Sequence, residues 1–165
     1  MYIQGKLLMP GDDLTEVINI RSKVFVEEFR IPYNLEFDYM DDFAVHAIAY
    51  EKTDHAMQNN CTTEKLAVAT GRLFFDGDEC WLDKVAVLKE YRGKEYGDFI
   101  VRLLLNKAFM AGIKSVNINS FITSEAFFEK IGFVKNGDEF IENDIKKRKM
   151  TIRIANMVNK CRKHE

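Results

Sequence analysis

Apolar residues along this chain change their spacing several times, and each change marks an element. Tyr2–Leu8 reads as a strand, closed by Pro10-Gly11. Leu14, Val17, Ile18, Val24 and Phe25 then fall at helical spacing. A helix is predicted to about Phe29, with Asp13 at its cap and Glu16 as the reciprocal acid. Ile31-Pro32-Tyr33 ends it, and an acidic loop follows with Glu36, Asp38, Asp41 and Asp42. Ala44–Tyr50, Leu66–Phe75 and Cys80–Val87 are expected strands. The polar stretch Thr53–Thr63 reads as a hairpin loop, and Asp76-Gly77-Asp78 as a tight turn. Leu88–Gly97 is a charged, glycine-containing loop. Asp98–Ala111 is a helix apolar almost all round, which implies burial against a sheet, and Gly112 stops it. Val116–Asn119 is a short strand. Ser124–Ile131 is a helix with Ser or Thr at its cap and Gly132 at its end. Phe133–Lys135 and Met150–Ile154 are the last strands, and Ala155–Glu165 is a polar, helical tail. The order β-α-β-β-β-α-β-α-β-β predicts an α/β fold, one mixed sheet covered by helices.

Composition narrows this picture. At 165 residues the chain suits one domain, expected over residues 1–154 with a tail at 155–165. Such a chain buries about 70% of its unfolded surface, enough to need neither disulfide nor metal. Aromatic residues make up 12%, which excludes disorder as the main state. The net charge of -2, from 24 basic and 26 acidic residues, argues against a general nucleic-acid binder. Cys61, Cys80 and Cys161 are odd in number and show no metal-ligand spacing, so reduced thiols and no metal site are expected. Met1–Pro10 has no long apolar core, and no stretch approaches the ~18 apolar residues of a membrane span. Neither a signal peptide nor a membrane partner is expected, and the expected compartment is the cytoplasm.

The segment richest in chemistry is Trp81-Leu-Asp-Lys-Val85-Ala86-Val87-Leu-Lys-Glu-Tyr-Arg92-Gly93-Lys94-Glu95-Tyr96-Gly97-Asp98. It predicts a strand, a loop with two glycines and two bases, and then a buried helix. A helix start offers unpaired N–H groups and the positive end of the dipole. Glycine lets backbone approach an anion, and Arg92 and Lys94 add charge, which together suit a pyrophosphate. The P-loop pattern and the dinucleotide fingerprint are both absent. A plain turn into a helix would read the same way.

Val85-Ala86-Val87 followed by Tyr-Arg-Gly-Lys-Glu-Tyr-Gly and a helix resembles the acyl-CoA motif of the GNAT superfamily of N-acetyltransferases. Thirty residues on, Ser124-Glu-Ala126-Phe-Phe128-Glu-Lys130-Ile-Gly132-Phe133 resembles that family's second signature. Arg21-Ser-Lys-Val24-Phe25-Val26-x-Glu28, Pro32-Tyr33 and Glu36-x-Asp38-x-x-Asp41 are similar to its ElaA-like branch, as are Phe140-Ile-Glu142 and Met150. The resemblance covers residues 2–154. It implies a GNAT-like sheet with a V-shaped splay between central parallel strands, and acyl transfer from acetyl-CoA to a small or peptidic amine. Val85, Ala86 and Val87 would then bind pantetheine. Arg92, Gly93, Lys94, Tyr96, Gly97 and Asp98 would surround the pyrophosphate, with Ser124, Phe128 and Lys130 completing the cofactor side. Glu28 is the favoured general base and His46 the second. Glu36, Asp38, Asn119 and Glu142 are the expected acceptor contacts.

Departures from the family pattern bear on the chemistry. Glu95 replaces the loop's middle glycine, so backbone donation there requires a helical φ. Phe128 replaces the usual Tyr, the common general acid. Lys146-Lys147 stand where the branch tends to have Pro-His, and Asn119 where it often has His. These changes keep a second reading open, an acyl-CoA-binding module of the same fold without turnover. His46 reads as lying on the strand face away from Val45, Ala47 and Ala49. The bland reading of Glu28, Glu36, Asp38 and Glu142 is solvated charge, and that of Cys80 is core. Both a monomer and a homodimer are compatible with this sequence.

Overall fold

The computed structural model describes residues 3–57 and 60–155, with side chains described outside residues 53–64. Most of the expected tail, with Cys161, lies outside the described residues, as do Tyr2, residues 58 and 59, and the side chain of Cys61. Seven strands form a mixed sheet: β1 Gln4–Leu8, β2 Val45–Met57, β3 Asn60–Asp76, β4 Glu79–Val87, β5 Ser115–Phe121, β6 Val134–Glu142 and β7 Ile145–Arg153. Their order is β1-β2-β3-β4-β5-β7-β6. The helices are α1 Thr15–Arg21, α2 Tyr33–Glu36, α3 Tyr96–Met110 and α4 Glu125–Ile131. None is long and apolar enough to cross a membrane. The expected α/β sheet flanked by helices is observed with its strands in the predicted order, and the short α2 is added between α1 and β2.

Several boundaries differ, for identifiable reasons. The first helix is α-helical only to Arg21, and Ser22–Glu28 winds as a π-helix in which Phe29 N–H donates to Val24 C=O at 3.1 Å. An apolar spacing of 3 and 4 does not distinguish the wider turn. Asp13 does hold the start, accepting from Thr15 N–H and Oγ1 at 2.9 and 2.6 Å. Glu16 does not reciprocate, because Tyr50 donates its hydroxyl to it at 2.7 Å. The expected loop Thr53–Thr63 is mostly strand, with β2 and β3 paired out to Met57↔Asn60. Backbone pairing there does not depend on apolar side chains, so polarity misleads. The last two strands, expected at Phe133–Lys135 and Met150–Ile154, extend further and meet as the β6–β7 hairpin for the same reason. Asn143 and Asp144 both adopt positive φ, 51° and 61°, as a tight two-residue hairpin turn requires. Ser124 precedes α4 without a side-chain capping bond, contrary to expectation.

The chain divides into two compact units, Met1–Phe74 with Lys84–Leu104, and Phe75–Asp83 with Leu105–Glu165. The first is built around Val17, Ile20, Val24, Ala47, Ile48, Ala69 and the buried face of early α3, Ile100, Val101 and Leu104. Gly71 in β3 makes that packing close: a Cβ there would lie 2.8 Å from Ile100 Cγ2. The helix is thus pinned on the sheet, which fixes the loop that precedes it. The second unit buries Leu82, Leu105, Val116, Ile118, Phe133, Met150 and Ile152. In it β4 and β5 run parallel, with Trp81 opposite Asn117. The polar gap in the otherwise apolar α3 is a stripe of exposed residues, Arg102, Asn106 and Met110, at spacing i, i+4, i+8. Ile113 N–H donates to Ala108 C=O and Gly112 N–H to Phe109 C=O, a Schellman closure of α3.

Candidate active site

The strand, loop and helix follow in the expected order, with α3 starting at Tyr96 rather than Asp98. β4 kinks at Lys84, whose φ is +51°, before Val85–Val87. A short turn, Lys89–Tyr91, leads to Gly93, whose φ of +76° an L side chain rarely adopts. Glu95 also stands in the left-handed region, at φ +65°. Backbone donation at Glu95 requires a helical φ; the observed one is left-handed, so that requirement is not met, and Glu95 carries the strain of turning as a glycine would. Phe99 N–H donates to Glu95 C=O at 2.9 Å, the first bond of α3. The N–H groups of Tyr96, Gly97 and Asp98 therefore have no acceptor within the helix. The Tyr96 side chain is buried and stacks edge-on against Tyr91 at 6.1 Å, so only its backbone is placed for a ligand. Lys94 Nζ lies 4.9 Å over the Tyr91 ring, and Asp98 accepts from Arg102 Nε at 2.6 Å.

Arg92 is held three ways. Its Nε donates to Val87 C=O at 3.0 Å, while Nη1 and Nη2 donate to the two oxygens of Glu28 at 2.7 and 2.6 Å. The favoured base and the favoured phosphate cation thus hold one another. Hydrogen bonding from Arg92, with its charge, keeps the Glu28 carboxyl below the usual carboxylate range, and Glu28 in turn raises the Arg92 guanidinium.

The acidic segment is a built cluster. Arg21 Nε donates to Glu36 Oε1 at 2.7 Å, its Nη2 to Glu36 C=O at 2.7 Å and its Nη1 to Asp41 Oδ1 at 2.6 Å. Arg72 donates to both oxygens of Asp38, at 2.6 and 3.1 Å, and to Asp41 at 2.9 Å. Lys84 Nζ reaches the other oxygen of Glu36 at 2.8 Å. Glu36, Arg21 and Arg72 are only 1–2% exposed, so a solvated loop is the wrong description of Glu36. Burial pushes the Asp38 and Asp41 carboxyls up, but their arginine partners outweigh it and hold both low.

His46 closes the cluster from β2. It is 1% exposed, a packed histidine rather than a solvated one, since β2 is buried on both faces here. Its Nε2 lies 3.1 Å from Asp41 C=O, and a carbonyl only accepts, so Nε2 carries the proton. Its Nδ1 is buried without a partner. Burial lowers its pKa, chiefly, against the pull of Asp41. A base must reach the proton it takes, and this one is enclosed.

The remaining predicted residues fall in the second unit. Phe128 is buried, with its ring edge-on to Phe133 at 5.5 Å and Phe127 at 4.9 Å. Asn119 and Lys130 are exposed, and Ser124 is half-buried. Glu142 pairs with Lys147, whose Nζ stands 5.5 Å over the Phe121 ring. Cys80 is buried, as expected, and burial pushes its thiol up to about 11. Among the described residues no group of three or more His, Cys, Asp or Glu is placed to hold a metal ion. What sequence reasoning missed is Arg21, Arg72 and Lys84. The available signal was an arginine on the buried face of a helix and another inside a strand, both of which demand acidic partners.

Comparison with known proteins decides the family. Residues 40–154 match the acetyltransferase (GNAT) domain family. This chain belongs to the GNAT acetyltransferases. It is 29% identical over 143 residues to the uncharacterized protein YyaT of Bacillus subtilis strain 168, a match spanning 87% of this chain and 90% of that one. Among solved structures it is similar to Escherichia coli ElaA, with a TM-score of 0.74 and 20% identity over 92% of this chain and 100% of that one. An acyl-CoA N-acyltransferase from Pseudomonas aeruginosa superposes with a TM-score of 0.75 at 20% identity, over 92% and 99% of the two chains. These likenesses agree on the GNAT fold, and the chain's class is acetyltransferase.

Proposed function

We propose that this acetyltransferase moves an acetyl group from acetyl-CoA to a primary amine by direct attack on the thioester. The observation that carries this reading is the loop before α3: beyond β4 and the short turn Lys89–Tyr91, two left-handed residues, Gly93 and Glu95, turn the chain into the first helical turn. Space for a Cβ at Gly93 is open to 4 Å, so an anion can approach its backbone. Gly93, Lys94, Gly97 and the first-turn N–H groups would hold the pyrophosphate, and Val85–Val87 would orient the pantetheine arm. The donor supplies an activated acyl group on a good leaving thiolate. Glu28 accepts a proton from the acceptor's ammonium, so that the neutral amine can attack. A backbone N–H near Val85 would stabilise the oxyanion. Cytoplasmic action fits this chemistry.

Acetyl-CoA at millimolar concentration should raise the melting temperature, because a ligand that binds only the folded state stabilises it. No shift would overturn the reading. Thiol release with a panel of primary amines tests turnover. A second reading, a binding module without turnover, is favoured by the buried Phe128, which brings no hydroxyl, and by the pairing of Arg92 with Glu28. Stabilisation without thiol release would select it. Phe128→Tyr should raise the rate if a missing acid limits thiolate departure, and leave it unchanged if the thiolate leaves unaided.

A further inference from the structure

Resting on the acetyl-CoA reading, we propose that Glu28 and Arg92 form an exchangeable clamp. A phosphate of the acyl donor takes the Arg92 guanidinium, and the released Glu28 carboxylate is then able to accept the acceptor's proton. Donor binding is thereby made to precede deprotonation of the amine.

The geometry supports an exchange rather than a fixed brace. Arg92 keeps one bond that a phosphate need not disturb, Nε to Val87 C=O at 3.0 Å. That bond anchors the guanidinium at the end of β4, beside Gly93. Its Nη1 and Nη2 are the groups engaged by Glu28, and they present a planar fork that suits phosphate as well as carboxylate. Both partners are solvent-accessible, with side chains 38% and 31% exposed, so parting them requires little desolvation. A phosphate with more than one negative charge competes well for the same fork.

The exchange also resolves a conflict between roles. While clamped, both Glu28 oxygens accept from Arg92 and its carboxyl is held low, which makes it a poor proton acceptor. While clamped, the Arg92 charge is likewise neutralised and attracts an anion weakly. Each role becomes available only when the pair opens, and the donor's phosphate opens it. One proton then passes from the acceptor ammonium to Glu28, leaving a neutral amine and a neutral carboxyl.

Coenzyme A titrated calorimetrically into the wild type, Glu28→Gln and Glu27→Gln tests this. Glu27 is the adjacent exposed carboxylate and serves as a control for net charge. Glu28→Gln should bind coenzyme A about two- to fivefold more tightly, the worth of an exposed pair, and Glu27→Gln should match the wild type. The Glu28 carboxyl, followed by carbon NMR, should titrate higher in the presence of coenzyme A than in its absence. Equal or weaker binding by Glu28→Gln overturns the clamp, as does an equal gain from Glu27→Gln or an unmoved titration. A wild type that does not bind coenzyme A overturns the acetyl-CoA reading itself, and the clamp with it.

Discussion

Two sets of ion pairs share the first unit and teach opposite lessons. Arg21 and Arg72 hold Glu36, Asp38 and Asp41 with the arginines and Glu36 at 1–2% exposure. Arg92 holds Glu28 with both side chains about one-third exposed. The bond lengths overlap, 2.6–3.1 Å in the first set and 2.6–2.7 Å in the second. Geometry therefore does not separate them, and desolvation does. A buried charge that loses its partner has no water to turn to, whereas an exposed one is rehydrated at once. The first set fixes the acidic segment; the second is free to change partners.

Arg21→Met should break this contrast most strongly. It leaves Glu36 in the interior with Lys84 as the cation still bonded to it, and should cost about 3–5 kcal/mol in urea denaturation. Arg21→Met combined with Glu36→Leu should recover much of that loss, since two well-packed apolar groups need no partner. A single variant with near-wild-type stability would mean the cluster is wetter than its exposure indicates.

His46 sharpens the comparison through pH. Its folded pKa is lowered from 6.5, mainly by burial, so the unfolded chain binds the proton more readily. Its contribution to stability is complete above the unfolded value and is lost as pH falls from there toward the lowered folded value. Melting temperatures should therefore decline between neutral and mildly acidic pH, and His46→Asn should flatten that slope. Asp38 and Asp41, held low in the fold, lose their contribution only at more acidic pH, as it falls through their folded values.

Smaller effects are expected at the exposed loop. Glu95→Gly relieves a left-handed φ, partly offset by the greater freedom of glycine when unfolded, for a net gain of about 0.5–1 kcal/mol. The same change removes a carboxylate from the loop and should tighten coenzyme A binding. Glu28→Gln should leave the urea midpoint unmoved, which is the counterpart of the loss at Arg21. A large loss there would make the pair a structural brace.

Much of this was legible in the sequence because it depends on local rules. The order of elements follows from apolar spacing and turn residues. The loop before α3 was legible because Gly93 and Gly97 flank a strand and a helix. The π-helix at Ser22–Glu28 was not, because apolar spacing does not reveal the wider turn. The full length of β6 and β7 was not either, because charged residues such as Lys146, Lys147 and Arg148 pair by backbone there without an apolar alternation to mark the strand.

The sequence by itself determined the α/β order, the strand-loop-helix segment and the residue types available for acyl transfer. Only the tertiary structure decided which charges are free. Glu28, Glu36 and Asp38 look equally available along the chain, yet they take partners 34 to 64 residues away, as with Asp38–Arg72, Glu36–Lys84 and Glu28–Arg92. The physical reason is that ionisation and exposure are set by the groups that surround a side chain in space, and sequence spacing constrains those only within a helix turn or a hairpin.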